Sequence, residues 1–125
     1  MILDTNALSA FFDGDARLKV IVAKAARISL PVIVLGEYRF GLIGSRIRKV
    51  MESALDELQA LSEVLLIDTE TVRPYAKISD QLKRAGTPIP SNDLWIAAIA
   101  VQHGLPIVSR DKHFDFVRGI RRLVW

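Results

Sequence analysis

The sequence predicts an α/β fold, a three-layer α/β/α sandwich around a central parallel sheet of four to five strands. Short apolar runs alternate with stretches of helical periodicity along the whole chain, the pattern of strand–helix units. The stretch from Leu94 to Val101 is apolar almost all round, so it reads as a buried helix. The strand that follows, Ile107-Val108, is fully apolar. At 125 residues the chain can build one real hydrophobic core, and residues 1–125 read as a single domain with no internal repeat or linker.

Met1-Ile2-Leu3 is the first strand, and Asp4-Thr5-Asn6 follows it directly. Leu8, Phe11 and Phe12 then recur at helical spacing. Asp4 therefore stands at the carboxyl end of a strand and the start of a helix, as an N-cap or as a ligand. Asp13-Gly14-Asp15 is a turn, and Lys19 to Ala26 forms the next helix. Ile28-Ser29-Leu30 is the second strand. Pro31 suits the first turn of a helix running from Val32 to Gly44. Ile33, Gly36, Glu37, Phe40, Gly41 and Gly44 read as one inward stripe, with glycines that permit close backbone approach. That places Glu37 on an apolar face, where it needs a cation, a proton or a partner such as Arg39. Arg46 to Leu61 is a charged amphipathic helix with Ile47, Val50, Met51, Leu55 and Leu58 inward. Val64 to Ile67 is the third strand. Asp68-Thr69-Glu70 caps a helix that reaches about Ala85, with Ile78 and Leu82 inward, and the segment from Gly86 to Pro90 breaks it. Ser91 reads as the N-cap of the buried helix and Gly104 as its C-cap, with Pro106 just beyond. Arg121 to Trp125 is the last, edge strand.

The absence of Cys excludes disulfides and thiolate metal sites and fits a reducing cytoplasm. No apolar run approaches the ~20 residues of a membrane span. The opening strand leaves no place for a signal peptide, so a cytoplasmic protein without membrane attachment is expected. The formal charge is +3, from 17 basic against 14 acidic residues, and becomes +7 once four carboxylates are assigned to a site. An acidic pocket on a basic body suits a polyanion held around bound cations, although a basic solvated surface gives the same total.

Asp4 and Asp111 both follow strands, and ligands of open α/β sheets bind outside the carboxyl ends of strands. Asp93 lies one turn before Ile96 and Ala97 and faces as they do. Together with Glu37, these acids would repel one another in one crevice, and their pKa values would rise. A divalent cation resolves the conflict. Oxygen ligands without Cys or a matched His pair select Mg²⁺ or Mn²⁺ over Zn²⁺. Such an ion can activate a water toward a phosphodiester. His103 reads as a helix-end surface residue and His113 as a turn residue, not as ligands.

These motifs resemble those of a known family. Asp4-Thr5-Asn6 after an initial strand, Glu37 in a Gly-ended helix, Asn92-Asp93-Leu94-Trp95-Ile96-Ala97-Ala98 and Ser109-Arg110-Asp111-Lys112-His113-Phe114 are similar to the motifs of PIN-domain ribonucleases. More narrowly they resemble VapC-type toxins of toxin–antitoxin pairs. The resemblance covers the whole chain in order. It implies a PIN-like sheet whose first and fourth strands are neighbours, and Mg²⁺- or Mn²⁺-dependent RNA cleavage. Asp4, Glu37, Asp93 and Asp111 would be both the catalytic and the metal-binding acids, with Asn6 and Ser109 as polar support. Asp115 competes with Asp111 for the fourth place. Arg39, Arg46, Arg48, Arg110 and Lys112 are candidate RNA contacts. The resemblance also implies a homodimer and a cognate VapB-like antitoxin, in a heterotetramer or larger complex.

Two rival readings remain at this stage. One is a receiver-like phosphoacceptor domain with Asp68, at the end of an apolar strand, as the acceptor. Against it, the first strand ends in one acid and not an adjacent pair. The other is a non-catalytic RNA-binding domain, which gives no reason to keep Glu37 and Asp93 on apolar faces.

Overall fold

Strands this short and this apolar hold together only between two covering layers, and that is where they lie. A computed structural model describes residues 1–125. The sheet has five parallel strands: β1 (Ile2–Leu3), β2 (Ser29–Pro31), β3 (Glu63–Leu65), β4 (Ile107–Val108) and β5 (Arg122–Leu123). Their order across the sheet is β3-β2-β1-β4-β5. Ile2, Leu3, Leu30, Ile107 and Val108 are wholly buried, as expected of parallel strands covered on both faces. The helices are α1 (Thr5–Phe12), α2 (Ala16–Lys24), α3 (Val32–Leu42), α4 (Arg48–Ala60), α5 (Thr69–Ala85) and α6 (Ser91–His103). A 3-10 turn spans Lys112–Phe116. No helix is long and apolar enough to cross a membrane.

The strand order sets the place of the site. From β1 the chain moves one way to β2 and β3, and later starts again on the other side with β4 and β5. The switch point is therefore the crevice between β1 and β4, at their carboxyl ends. Ile2 pairs with Ile107 and Leu3 with Val108, so Asp4 and Ser109 leave the sheet side by side.

α6 is buried from Ile96 to Ala100, as the all-round apolar pattern requires. Tyr75 of α5 stacks on Trp95 of α6 with ring centroids 3.9 Å apart, which fixes the first turn of α6 where Asp93 sits. At the far end, Thr71 Oγ1 donates to Gln102 Oε1 at 2.6 Å. Gln102 Nε2 donates to Asp68 Oδ1 at 3.2 Å.

Several expectations need correction. The inward face of α3 is Val34, Leu35, Tyr38 and Leu42, while Gly36, Phe40, Gly41 and Gly44 face out. A Cβ at Gly36 or Gly41 would meet nothing within 4 Å, so these glycines admit no close neighbour within the chain. On α4 only Leu55 is buried, with Met51 and Leu58 partly so, and Ile47 and Val50 are exposed. The residue before α6 is Pro90, and Ser91 is the first helical residue and makes no cap bond.

Candidate active site

Asp4 is only 4% exposed, and each of its oxygens is held. Oδ1 accepts the Ala7 backbone N–H at 2.9 Å, so Asp4 does cap α1. Oδ2 accepts the Ser109 hydroxyl at 2.5 Å and the Asn6 amide at 2.9 Å. Ser109 Oγ in turn accepts the Asp111 backbone N–H at 2.8 Å, and Asn6 Oδ1 accepts that of Arg110 at 3.1 Å. The N-cap and ligand readings of Asp4 thus describe the same side chain: the cap bond fixes one oxygen and aims the group across the switch point. Asn6 and Ser109 brace the β1 and β4 ends against each other.

Thr5 Oγ1 donates to Glu37 Oε1 at 2.8 Å, linking α1 to α3. Arg39, one of the partners open to Glu37 in the sequence, is bound instead to Asp56 at 2.7 Å. Glu37 is half-buried at the mouth of a cleft and not on the inward face of α3. Asp93 enters from the first turn of α6, and Asp111 from the loop after β4.

These four acids line one cleft of about 560 Å³, together with Thr5, Asn6, Ser9, Asp13 and Arg110. Burial pushes the Asp4 carboxyl up to about 6, against the bonds from Ser109 and Ala7 and with help from the charges of Asp93 and Asp111. Burial, then the neighbouring Asp111 carboxylate, also raises the pKa of Asp93. Excess negative charge in a partly dry cleft is a standing demand for a cation.

Asp115 does not join them. Its carboxylate is held by Arg122 through two bonds of 2.7 Å, which keep its pKa low. Arg110 lies at the rim of the cleft. Its guanidinium sits 4.3 Å over the Trp125 ring and 3.3 Å from Asp15 Oδ2, which also accepts the Trp125 indole N–H at 3.1 Å. Lys112 is exposed in the 3-10 turn, Arg46 is exposed, and Arg48 pairs with Glu52.

Asp68 caps α5, accepting the Glu70 and Thr71 N–H groups and the Gln102 amide. It follows β3, the strand at the opposite edge from β5, and lines no part of the cleft. The phosphoacceptor reading fails on this placement.

Two residues escaped the sequence reading, one lining the cleft and one bonded to its acids. Asp13 was assigned only to a turn, although Thr5, Ser9 and Asp13 recur every four residues and so share the face of α1 that lines the cleft. His113 was read as a turn residue. It does sit in the 3-10 turn, but its ring Nδ1 lies 3.1 Å from Asp93 Oδ2 and 3.0 Å from Asp111 Oδ1. No spacing rule could reveal this, because Asp93 and His113 are brought together where α6 packs against the 3-10 turn. His103 is exposed at the end of α6, as read.

A family model for the PIN domain matches residues 1–120. The chain is a PIN domain. Within that family it belongs with the VapC proteins. VapC ribonuclease Y4jK of Sinorhizobium fredii is 34% identical over 122 residues, covering 89% of this chain and 86% of its own. Ribonuclease VapC5 of Mycobacterium tuberculosis is 28% identical over 120 residues, covering 94% and 87%. Among solved structures, VapBC-1 from nontypeable Haemophilus influenzae superposes with a TM-score of 0.87 at 25% identity, covering 99% of this chain and 96% of that one. The five-stranded parallel sheet of this PIN domain is thus the sheet of its relatives.

Proposed function

We propose that this PIN domain, residues 1–125 as one unit, is a divalent-metal-dependent endoribonuclease and the toxin of a toxin–antitoxin pair. The observation that carries the reading is the convergence of Asp4, Glu37, Asp93 and Asp111 in one cleft at the switch point. The VapC relatives are ribonucleases, which supports the reading.

The residues present fit a Mg²⁺ or Mn²⁺ ion. The four acids offer hard oxygens, no thiolate competes, and a cation would stabilise the ionised forms of Asp4 and Asp93 that burial, and then neighbouring carboxylates, disfavour. Asp4, Glu37, Asp93 and Asp111 would hold it, and its contribution when bound is charge neutralisation at the phosphodiester and a more acidic attacking water. The chain's own groups do the rest. Ser109 and Asn6 keep Asp4 from rotating, and Thr5 keeps Glu37 aimed at the cleft. Arg110, braced by Asp15 and Trp125, offers a fixed positive charge at the rim for an RNA phosphate. Lys112 adds a mobile charge beside it. Arg39 is committed to Asp56 and would bind RNA only by leaving that pair.

The proposed partners are RNA and a VapB-like antitoxin, in a cytoplasmic complex of homodimers with antitoxin. In support, structural relatives from Salmonella typhimurium and nontypeable Haemophilus influenzae are VapBC complexes. The outward apolar residues of α3 and α4, Phe40, Ile43, Ile47 and Val50, offer surface for such contacts. A basic antitoxin side chain would fit among the carboxylates and inhibit there.

Purified protein should cut single-stranded or loop RNA with Mg²⁺ or Mn²⁺ and stop in excess EDTA. Full cleavage in EDTA contradicts the proposal. Arg→Ala changes in the antitoxin should restore cleavage while binding persists.

A further inference from the structure

Asp93 and Asp111 are like charges in one cleft, and something must hold them at a fixed separation. His113 occupies the place between them. Its Nδ1 is 3.1 Å from Asp93 Oδ2 and 3.0 Å from Asp111 Oδ1. Ionised carboxylate oxygens only accept hydrogen bonds, so the nitrogen between two of them carries the hydrogen. Asp111 Oδ1 accepts the His113 backbone N–H at 2.9 Å, and the ring Nδ1–H is given to Asp93 Oδ2. Asp93 and Asp111 line the cleft, but His113 does not. His113 thus engages one oxygen of each acid, Asp93 through the ring and Asp111 through the backbone.

We infer that His113 is a positioning residue of the cation site: its ring Nδ1–H holds Asp93, its backbone N–H holds Asp111, and the second oxygen of each is left for the ion. This rests on the metal-dependent reading above. A ligand held by an outer hydrogen bond loses less freedom when the ion binds, and loss of such a partner commonly weakens metal binding about 10- to 100-fold. The competing role is direct ligation, since Nδ1 and one oxygen of each acid lie within 4.8 Å of one another. Ligation by Nδ1 requires it to give up its hydrogen and leave the Asp93 oxygen it now engages.

The test uses the full chain, stripped of metal, with Mn²⁺ titrated by calorimetry. His113→Ala should bind Mn²⁺ about 10- to 100-fold more weakly than wild type. His113→Asn, whose amide N–H can take the place of Nδ1–H, should return to within a few-fold of wild type. Melting of both variants without metal verifies that they fold. Pulsed EPR of the Mn²⁺ complex, made with ¹⁵N-histidine, should show no nitrogen bound directly to the ion. Unchanged affinity in His113→Ala, equal losses in both variants, or a directly bound histidine nitrogen overturns the inference. If wild type itself binds no Mn²⁺, the metal reading falls and takes this inference with it.

Discussion

Asp4 is the residue on which chemistry and stability pull in opposite directions. Its carboxyl titrates at about 6 when folded, against 3.8 for an exposed Asp, because burial disfavours the charge. Between these values the folded state holds a proton that the unfolded state has released. Stability contributed by this group therefore falls as pH rises from about 4 to about 6, and the loss is complete above that. The size is on the order of 3 kcal/mol. In EDTA, the urea midpoint of wild type should drop through this window relative to Asp4→Asn, whose side-chain oxygen can still cap α1. Parallel curves would mean that the buried charge carries no such cost. Asp93 follows the same logic with a smaller handle. Asp93→Asn should abolish cleavage yet melt at the same or a higher temperature without metal, since it removes a carboxylate that burial and Asp111 disfavour. A clear fall in melting temperature would make Asp93 chiefly a favourable charge at the first turn of α6.

At the scale of elements, β1, β4 and α6 were legible because apolar runs that short or that continuous have one stable location, the interior. The acids Asp4, Asp93 and Asp111 were legible for the same reason: each stands where a buried element ends. The face of α3 was not. Its sequence is apolar on both sides, so periodicity could not say which side met the sheet, and the stripe through Phe40 was placed inward when it is 77% exposed. His113 was invisible because its meaning comes from a partner twenty residues away on another element. Asp68 shows the converse, an acid after an apolar strand that serves its own helix. Asp68→Asn should leave RNA cleavage near wild type, because Asn caps about as well as Asp. Asp68→Ala should cost about 1 kcal/mol in urea unfolding with cleavage still intact. Loss of cleavage in Asp68→Asn would give this residue a role beyond its helix cap. The loop after β4 makes a further prediction. Trp125→Ala removes the platform under Arg110 and should raise KM for RNA several-fold with kcat little changed. A fall in kcat alone would place Arg110 in the chemistry and not at the rim.

The whole molecule combines an acidic cleft with a basic remainder, and an apolar outer strip on α3 and α4. Phe40→Asp with Ile43→Asp should leave the fold stable, as both side chains are exposed, and should shift light-scattering mass toward monomer or abolish antitoxin binding. Unchanged mass and antitoxin affinity would assign both contacts to other surfaces. The proposed function requires the four carboxylates, gathered from four separate segments, to hold one cation for RNA hydrolysis. The most direct measurement is an anomalous difference map from a crystal grown with Mn²⁺. A peak in the cleft, within about 2.0–2.6 Å of oxygens from Asp4 and at least one of Asp93, Asp111 and Glu37, is the predicted result. A cleft without a peak in crystals of protein that cuts RNA, or an ion bound only at Asp68 or another acid outside the cleft, would contradict it.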